Sequence, residues 1–159
     1  MKDNLERALA LVAEKNPDAR LVCISGVGLH PDGRVRPAAP RDWLSRWQYA
    51  FCDDRGGEAP PRFYTVLYLF ADGPRLDENA GNVTETEPFD DETLSVMADS
   101  DRLVEIFREQ PGFQPPAGSG DDLLVITMRR MFDPVAYLSN WKGQSLVLDP
   151  LDPPRVISR

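Results

Sequence analysis

The sequence predicts an α+β fold in one domain spanning residues 1–159. The expected form is an antiparallel sheet with two main helices packed on it, with two α-β-β units left open as an arrangement. Three observations predict it. Apolar residues recur at helical spacing in two separated segments, 3–15 and 91–110. Each segment is followed by short runs that alternate apolar and polar residues, the signature of half-buried strands. Strands thus come in groups rather than alternating one by one with helices, and that order argues against a doubly wound parallel sheet.

Leu5, Leu9 and Val12, with Ala8 and Leu11, give the first helix one apolar stripe. Asp3 is its expected N-cap, with Glu6 three residues on as in a capping box. Asn16-Pro17-Asp18 ends it, because proline disfavours helical geometry in the residue before it. Ala19 to Ser25 reads as a strand, apolar on both faces from Leu21 to Ile24. Residues 26–42 hold so many Gly and Pro that they are expected to form turns. In Arg46 to Cys52, Trp47, Tyr49 and Phe51 share one face, and Gln48, Ala50 and Cys52 share the other. Arg62 to Phe70 is rich in β-branched and aromatic residues and forms a hairpin with the preceding strand across Asp53–Pro61.

Residues 72–92 are polar and acidic, with one weak strand near Val83. Asp91 to Gln110 is expected to be helical, broken near Asp99-Ser100, where either residue can cap the second segment. Its firm face is Leu103, Val104, Ile106 and Phe107. Beyond a Pro/Gly/Ser loop at 114–121, strands are expected at 122–129, at 135–141 and at 145–148. Arg155-Val156-Ile157 is a candidate last edge pairing.

Composition excludes several classes. A net charge of −8, from 26 acidic and 18 basic side chains, argues against a nucleic-acid backbone or an anionic membrane as partner. No apolar run approaches the roughly 18 residues that span a membrane. The charged opening Met1-Lys2-Asp3 is unlike a secretory leader, and a cytoplasmic location is expected. Two cysteines are too few for a disulfide scaffold. Cys23 and Cys52 could bridge only from neighbouring strands, and small buried thiols are the preferred reading.

Catalytic constellations are hard to assemble. His30 is the single histidine and sits in a turn-rich loop, where solvation is the expected state. No Cys-x-x-Cys, His-Glu-x-x-His or EF-hand spacing occurs. Asp53-Asp54, Asp90-Asp91-Glu92 and Asp121-Asp122 are acidic clusters, and the second is explained by the preference for anions at a helix start. Gly26-Val27-Gly28 lacks the third glycine of a dinucleotide fingerprint, and Gly118-Ser119-Gly120 lacks the lysine of a P-loop. Asn82-Val83-Thr84 matches a glycosylation sequon by chance. No catalytic residue, cofactor or metal is therefore expected.

The strand Trp47-Gln48-Tyr49-Ala50-Phe51 leads into a hairpin, and Asp99-Ser100 opens a helix. A strand pair carrying Trp141 follows, and Leu146-Val147-Leu148-Asp149 precedes a proline-rich turn. In these features the chain resembles the PepSY-like, cystatin-like class of small α+β domains. The usual glycine after the terminal aspartate is replaced by Pro150. The resemblance implies a non-catalytic binding or inhibitory module.

The aromatic residues carry the remaining signal. Arg62 to Phe70 is apolar on both faces, and a two-layer fold needs only one, so a face could be left for a partner. Trp43, Trp47, Tyr64, Tyr68, Tyr137 and Trp141 are the candidate partner-binding residues, since Trp and Tyr are common interface anchors. The expected function is protein binding or regulation, through an acidic rim and an aromatic sheet surface. A basic protein partner suits the charge, and a homodimer is a further candidate. The alternatives are a cytosolic inhibitor or immunity-type protein, a structural subunit of a larger assembly, or a small carboxylate-dependent hydrolase or isomerase.

Overall fold

The computed structural model describes residues 1–30, 32–35, 46–53, 61–69, 73–80, 87–111, 124–140 and 143–158. It corrects the expected fold class. The chain forms one eight-stranded antiparallel sheet with short helices, rather than two main helices on a smaller sheet in α-β-β units. The helices are α1 (Lys2–Lys15), α2 (Asp91–Val96) and α3 (Ser100–Glu109). Strands β1 (Arg20–Leu29), β2 (Arg46–Asp53), β3 (Arg62–Leu69) and β4 (Gly73–Ala80) follow α1. Strands β5 (Leu124–Arg130), β6 (Pro134–Asn140), β7 (Ser145–Asp149) and β8 (Arg155–Ser158) follow α3. Their order in the sheet is β4-β3-β2-β1-β5-β6-β7-β8. Each half is a four-strand meander, and the first strands of the two halves pair at the centre.

Two physical reasons account for the difference. First, β4 is an edge strand of sequence Gly-Pro-Arg-Leu-Asp-Glu-Asn-Ala. An edge strand is paired on one side only, so it tolerates proline and charge. The acidic segment that reads as a connection therefore contains a strand, from which Leu76 packs against the core. Second, β1 runs on to Leu29, through glycines that read as turn signals. Gly26 is needed for close approach: a Cβ there would lie 2.6 Å from Cζ3 of Trp47 and 2.7 Å from Cδ1 of Leu29. Gly28 takes φ 75° where the register with β5 shifts between Val27 and Leu29, a bulge that glycine accommodates without strain.

The helices cover one face of the sheet. Leu5, Ala8 and Val12 of α1 and Leu103, Val104 and Phe107 of α3 are buried in one core. From the strands that core receives Ile24, Trp47, Tyr49, Phe51, Met128 and Leu148 among others. The ring of Tyr49 stacks beside Trp47 at 6.4 Å and meets Tyr68 edge-on at 5.8 Å. Asn16 ends α1 and is itself buried. Its side-chain amide donates to Oδ2 of Asp53 at 2.7 Å and to the Tyr64 hydroxyl at 3.1 Å, tying the helix end to β2 and β3.

The cap of α1 differs from expectation, whereas Asp99, one of the two expected candidates, caps α3. Helix α1 begins at Lys2 after Met1, with no side-chain cap of its own, and Asp3 lies in its first turn. Asp99 serves instead. It caps α3 by accepting from Ser100 N–H at 2.7 Å, and it also accepts from Lys2 N–H at 3.3 Å. One carboxylate thus serves the starts of two helices. Partial burial pushes its pKa up. The Ser100 N–H, the Met1 ammonium and the Lys2 N–H outweigh this and hold the carboxyl below its ordinary 3.8. Between α2 and α3 the chain takes an extended path, where Ala98 N–H donates to the Pro150 carbonyl at 2.7 Å and Met97 bridges to Leu151.

Two measurements check this packing. Gly26→Ala should cost about 1–3 kcal/mol by overpacking, and adding Trp47→Phe should recover part of the loss in denaturant unfolding. A loss unchanged in the double variant would disprove the Gly26–Trp47 contact as its cause. Below pH 3.8 the unfolded chain binds a proton at Asp99 that the folded chain still refuses. The contribution of Asp99 is therefore complete above that pH and lost as pH falls through the lower folded value. The melting temperature of Asp99→Asn should vary less than that of the wild type between about pH 5 and about pH 2. Parallel curves would sink the assignment.

Candidate functional site: the uncovered sheet face

Strand alternation sends every second side chain to the face opposite the helices. Among the described residues no helix lies there. Register aligns this open face in rows across the sheet. The central row runs Arg75, Leu67, Gln48, Ser25, Thr127, Tyr137 and Val147. A second runs Asp77, Thr65, Ala50, Cys23, Arg129 and Val135. A third joins Arg46, Val27, Val125, Ser139 and Ser145. Most of these side chains are half-buried. Tyr137 is 42% exposed and Arg129 is exposed.

The six aromatic candidates divide between core, open face and residues outside the description. Trp47, Tyr64 and Tyr68 are buried at 4%, 2% and 9% exposure on the covered face. Tyr137 alone stands on the open face. Trp43 and Trp141 lie outside the described residues. The alternation in β2 correctly groups Trp47 with Tyr49 and Phe51, but alternation names a shared face without saying which face the helices cover. The Tyr68 hydroxyl is buried without a hydrogen-bond partner, and burial raises its pKa against the pull of Arg7. Burial also raises that of Tyr49, whose hydroxyl donates to the Met1 carbonyl at 2.9 Å.

One feature of the surface escapes sequence reading. Met131 and Phe132, at the tip of the β5–β6 hairpin, are 48% and 84% exposed. Two large apolar residues before Asp133-Pro134, where a turn favours polar ones, are the available signal. With Asp133 they connect Arg130 to Pro134.

The polar candidates are placed as follows. His30 is half-buried rather than solvated. Its N–H donates to the Arg34 carbonyl at 2.9 Å, and its Nε2 is buried without a partner. Cys23 and Cys52 lie on the open face of the adjacent strands β1 and β2 and are not bridged. Burial pushes the Cys23 thiol up, and the nearby Arg129 guanidinium pulls it partly back. Asp90 caps α2 through Thr93 N–H and ion-pairs with Arg130, which hold its carboxyl low. Asp54, Asp121, Asp122 and the Asn82-Val83-Thr84 sequon are outside the described residues. Among the described residues, no three His, Cys, Asp or Glu side chains gather so as to hold a metal. A depression of about 400 Å³ beside the starts of α1 and α3 is lined by Asp3, Asp32, Asp99 and Asp101 with Trp47. Among the described residues no helix is long and apolar enough to cross a membrane.

Comparison with protein-family models, with curated proteins and with solved structures gave no match.

In a Cys52→Ser background, Cys23 should react with Ellman's reagent at neutral pH more slowly than glutathione, because a raised pKa leaves little thiolate. Arg129→Gln should slow it further by removing the guanidinium. A rate equal to that of glutathione would contradict the buried placement.

Proposed function

We propose that the protein is a non-catalytic protein-binding module whose docking surface is the open face of the sheet. The observation that supports this most is the one-sided layering. Eight strands carry helices on one face, while the other places Val27 beside Val125, Tyr137 beside Val147, and Leu67 and Val135 among polar neighbours. An antiparallel sheet can leave one face to water, but that face is then usually polar. Here aliphatic and aromatic side chains are interspersed with hydroxyls and arginines, and the aromatic and arginine side chains among them are the types that interfaces favour over carboxylates and lysines. The PepSY-like resemblance points toward the same class of function. The module works in the cytoplasm, where unbridged thiols such as Cys23 and Cys52 persist.

The test compares retention of a partner from an extract of the source cells. A partner held through the open face should be retained by the wild type and by Glu109→Gln on α3. It should be weakened at least about five-fold by Tyr137→Ala, the loss expected of a tyrosine anchor. Loss with Glu109→Gln and full retention with Tyr137→Ala would overturn the proposal.

A further inference from the structure

The open face differs in charge from the rest of the molecule. On its five central strands, β3, β2, β1, β5 and β6, the described open-face positions carry Arg20, Arg46 and Arg129 and no carboxylate. Asp77 and Asp149 enter only on β4 and β7, where they oppose Arg75 and Arg155. The helices have the reverse balance. With the caps Asp90 and Asp99 they hold ten carboxylates against five basic side chains. The chain is acidic overall, but its uncovered surface is basic.

Among the described residues, Arg20, Arg46 and Arg129 have no ion-pair partner, and Nε of Arg46 is buried without a hydrogen bond. An arginine fork matches a carboxylate with two parallel hydrogen bonds. Register places Arg129 beside Cys23 and Val135, Arg46 beside Val27, and Arg20 beside Cys52. By register Arg46 and Arg129 lie on diagonally opposite sides of Ser25, and Arg20 lies farther along β1 on the Arg129 side. Thr127 and Tyr137 continue the Ser25 row across β5 and β6, so the three guanidinium groups are spread over the face instead of forming one cluster.

We propose that the partner is a protein surface or peptide with carboxylates around an apolar centre, and that Arg20, Arg46 and Arg129 receive those carboxylates. This rests on the open face being the docking surface and replaces the basic partner that net charge alone suggests. Net charge governs approach at a distance. Once water is excluded, the charges within a few ångströms decide which partner fits.

The experiment uses the full chain and two fluorescein-labelled peptides. Both carry a Leu-Phe-Leu centre, flanked in one by Asp and Glu and in the other by Lys. Fluorescence anisotropy gives affinities, and backbone amide shifts locate binding. The acidic peptide should move the amides of Ser25, Thr127 and Tyr137. Its affinity should fall about ten-fold or more in Arg46→Glu/Arg129→Glu, and fall as salt rises from about 50 to about 300 mM. Arg46→Gln/Arg129→Gln should show a smaller loss, and its unchanged amide spectrum elsewhere separates lost charge from lost fold. Equal or tighter binding of the lysine peptide on this face would overturn the acidic partner and leave the docking surface standing. Failure of both peptides to move these amides would overturn the docking surface and the acidic partner together. An affinity for the acidic peptide that the arginine variants do not change would overturn the role of these residues.

Discussion

Everything else in the structure depends on the pairing of β1 with β5. It joins residues far apart in sequence, Cys23 with Arg129 and Leu29 with Leu124, and turns two four-strand meanders into one sheet. Without it each meander would expose a long inner edge, a row of unpaired N–H and C=O groups that favours aggregation. The core depends on it too. Ile24 and Met128 pair across this seam, and they belong to the same apolar cluster as the buried side chains of α1 and α3. β1 can hold this place because Gly26 admits the Trp47 ring and Gly28 absorbs the register shift. Such a long-range pairing is costly in chain entropy to form, and it is secured by strands of seven and ten residues.

One-sided layering follows from that arrangement. Helices α1 and α3 and the extended link between α2 and α3 are bound to the covered face and to one another, through Asp99 and through the backbone bonds of Val96 and Ala98 to residues 150–152. Their outward sides face water and carry much of the negative charge. The other face keeps strand side chains, and among the described residues of its five central strands Arg20, Arg46 and Arg129 have no carboxylate on the same face. The exposed edge β8 is four residues long and irregular in register against β7, features that discourage pairing with another chain.

Much of the local structure was legible in residue pattern. The stripe of α1, its end at Asn16-Pro17, the break at Asp99 and the alternation of β2 all follow from side-chain period and capping chemistry. β4 was not legible, because an edge strand is paired on one side and needs little apolar content. The second half of β1 was hidden because its glycines serve packing and a bulge, and sequence shows only that they are glycines. The candidate surface was legible only in part. The sequence showed that strands have two faces and that one could be spare, but Trp47, Tyr64 and Tyr68 went to the core and Tyr137 to the surface.

The sequence by itself determined where most strands and helices lie, which residues share a face, and that acidity concentrates in helix starts and polar connections. These depend on neighbours a few residues apart, and local period and chemistry set them. Only the tertiary structure decided which face the helices cover, that the two meanders join through β1 and β5, and that among the described residues the five central strands carry three arginines and no carboxylate on their open face. Those outcomes depend on pairing between distant residues. A side chain's face is fixed by the chain, but what lies opposite that face is fixed by the packing of the whole molecule.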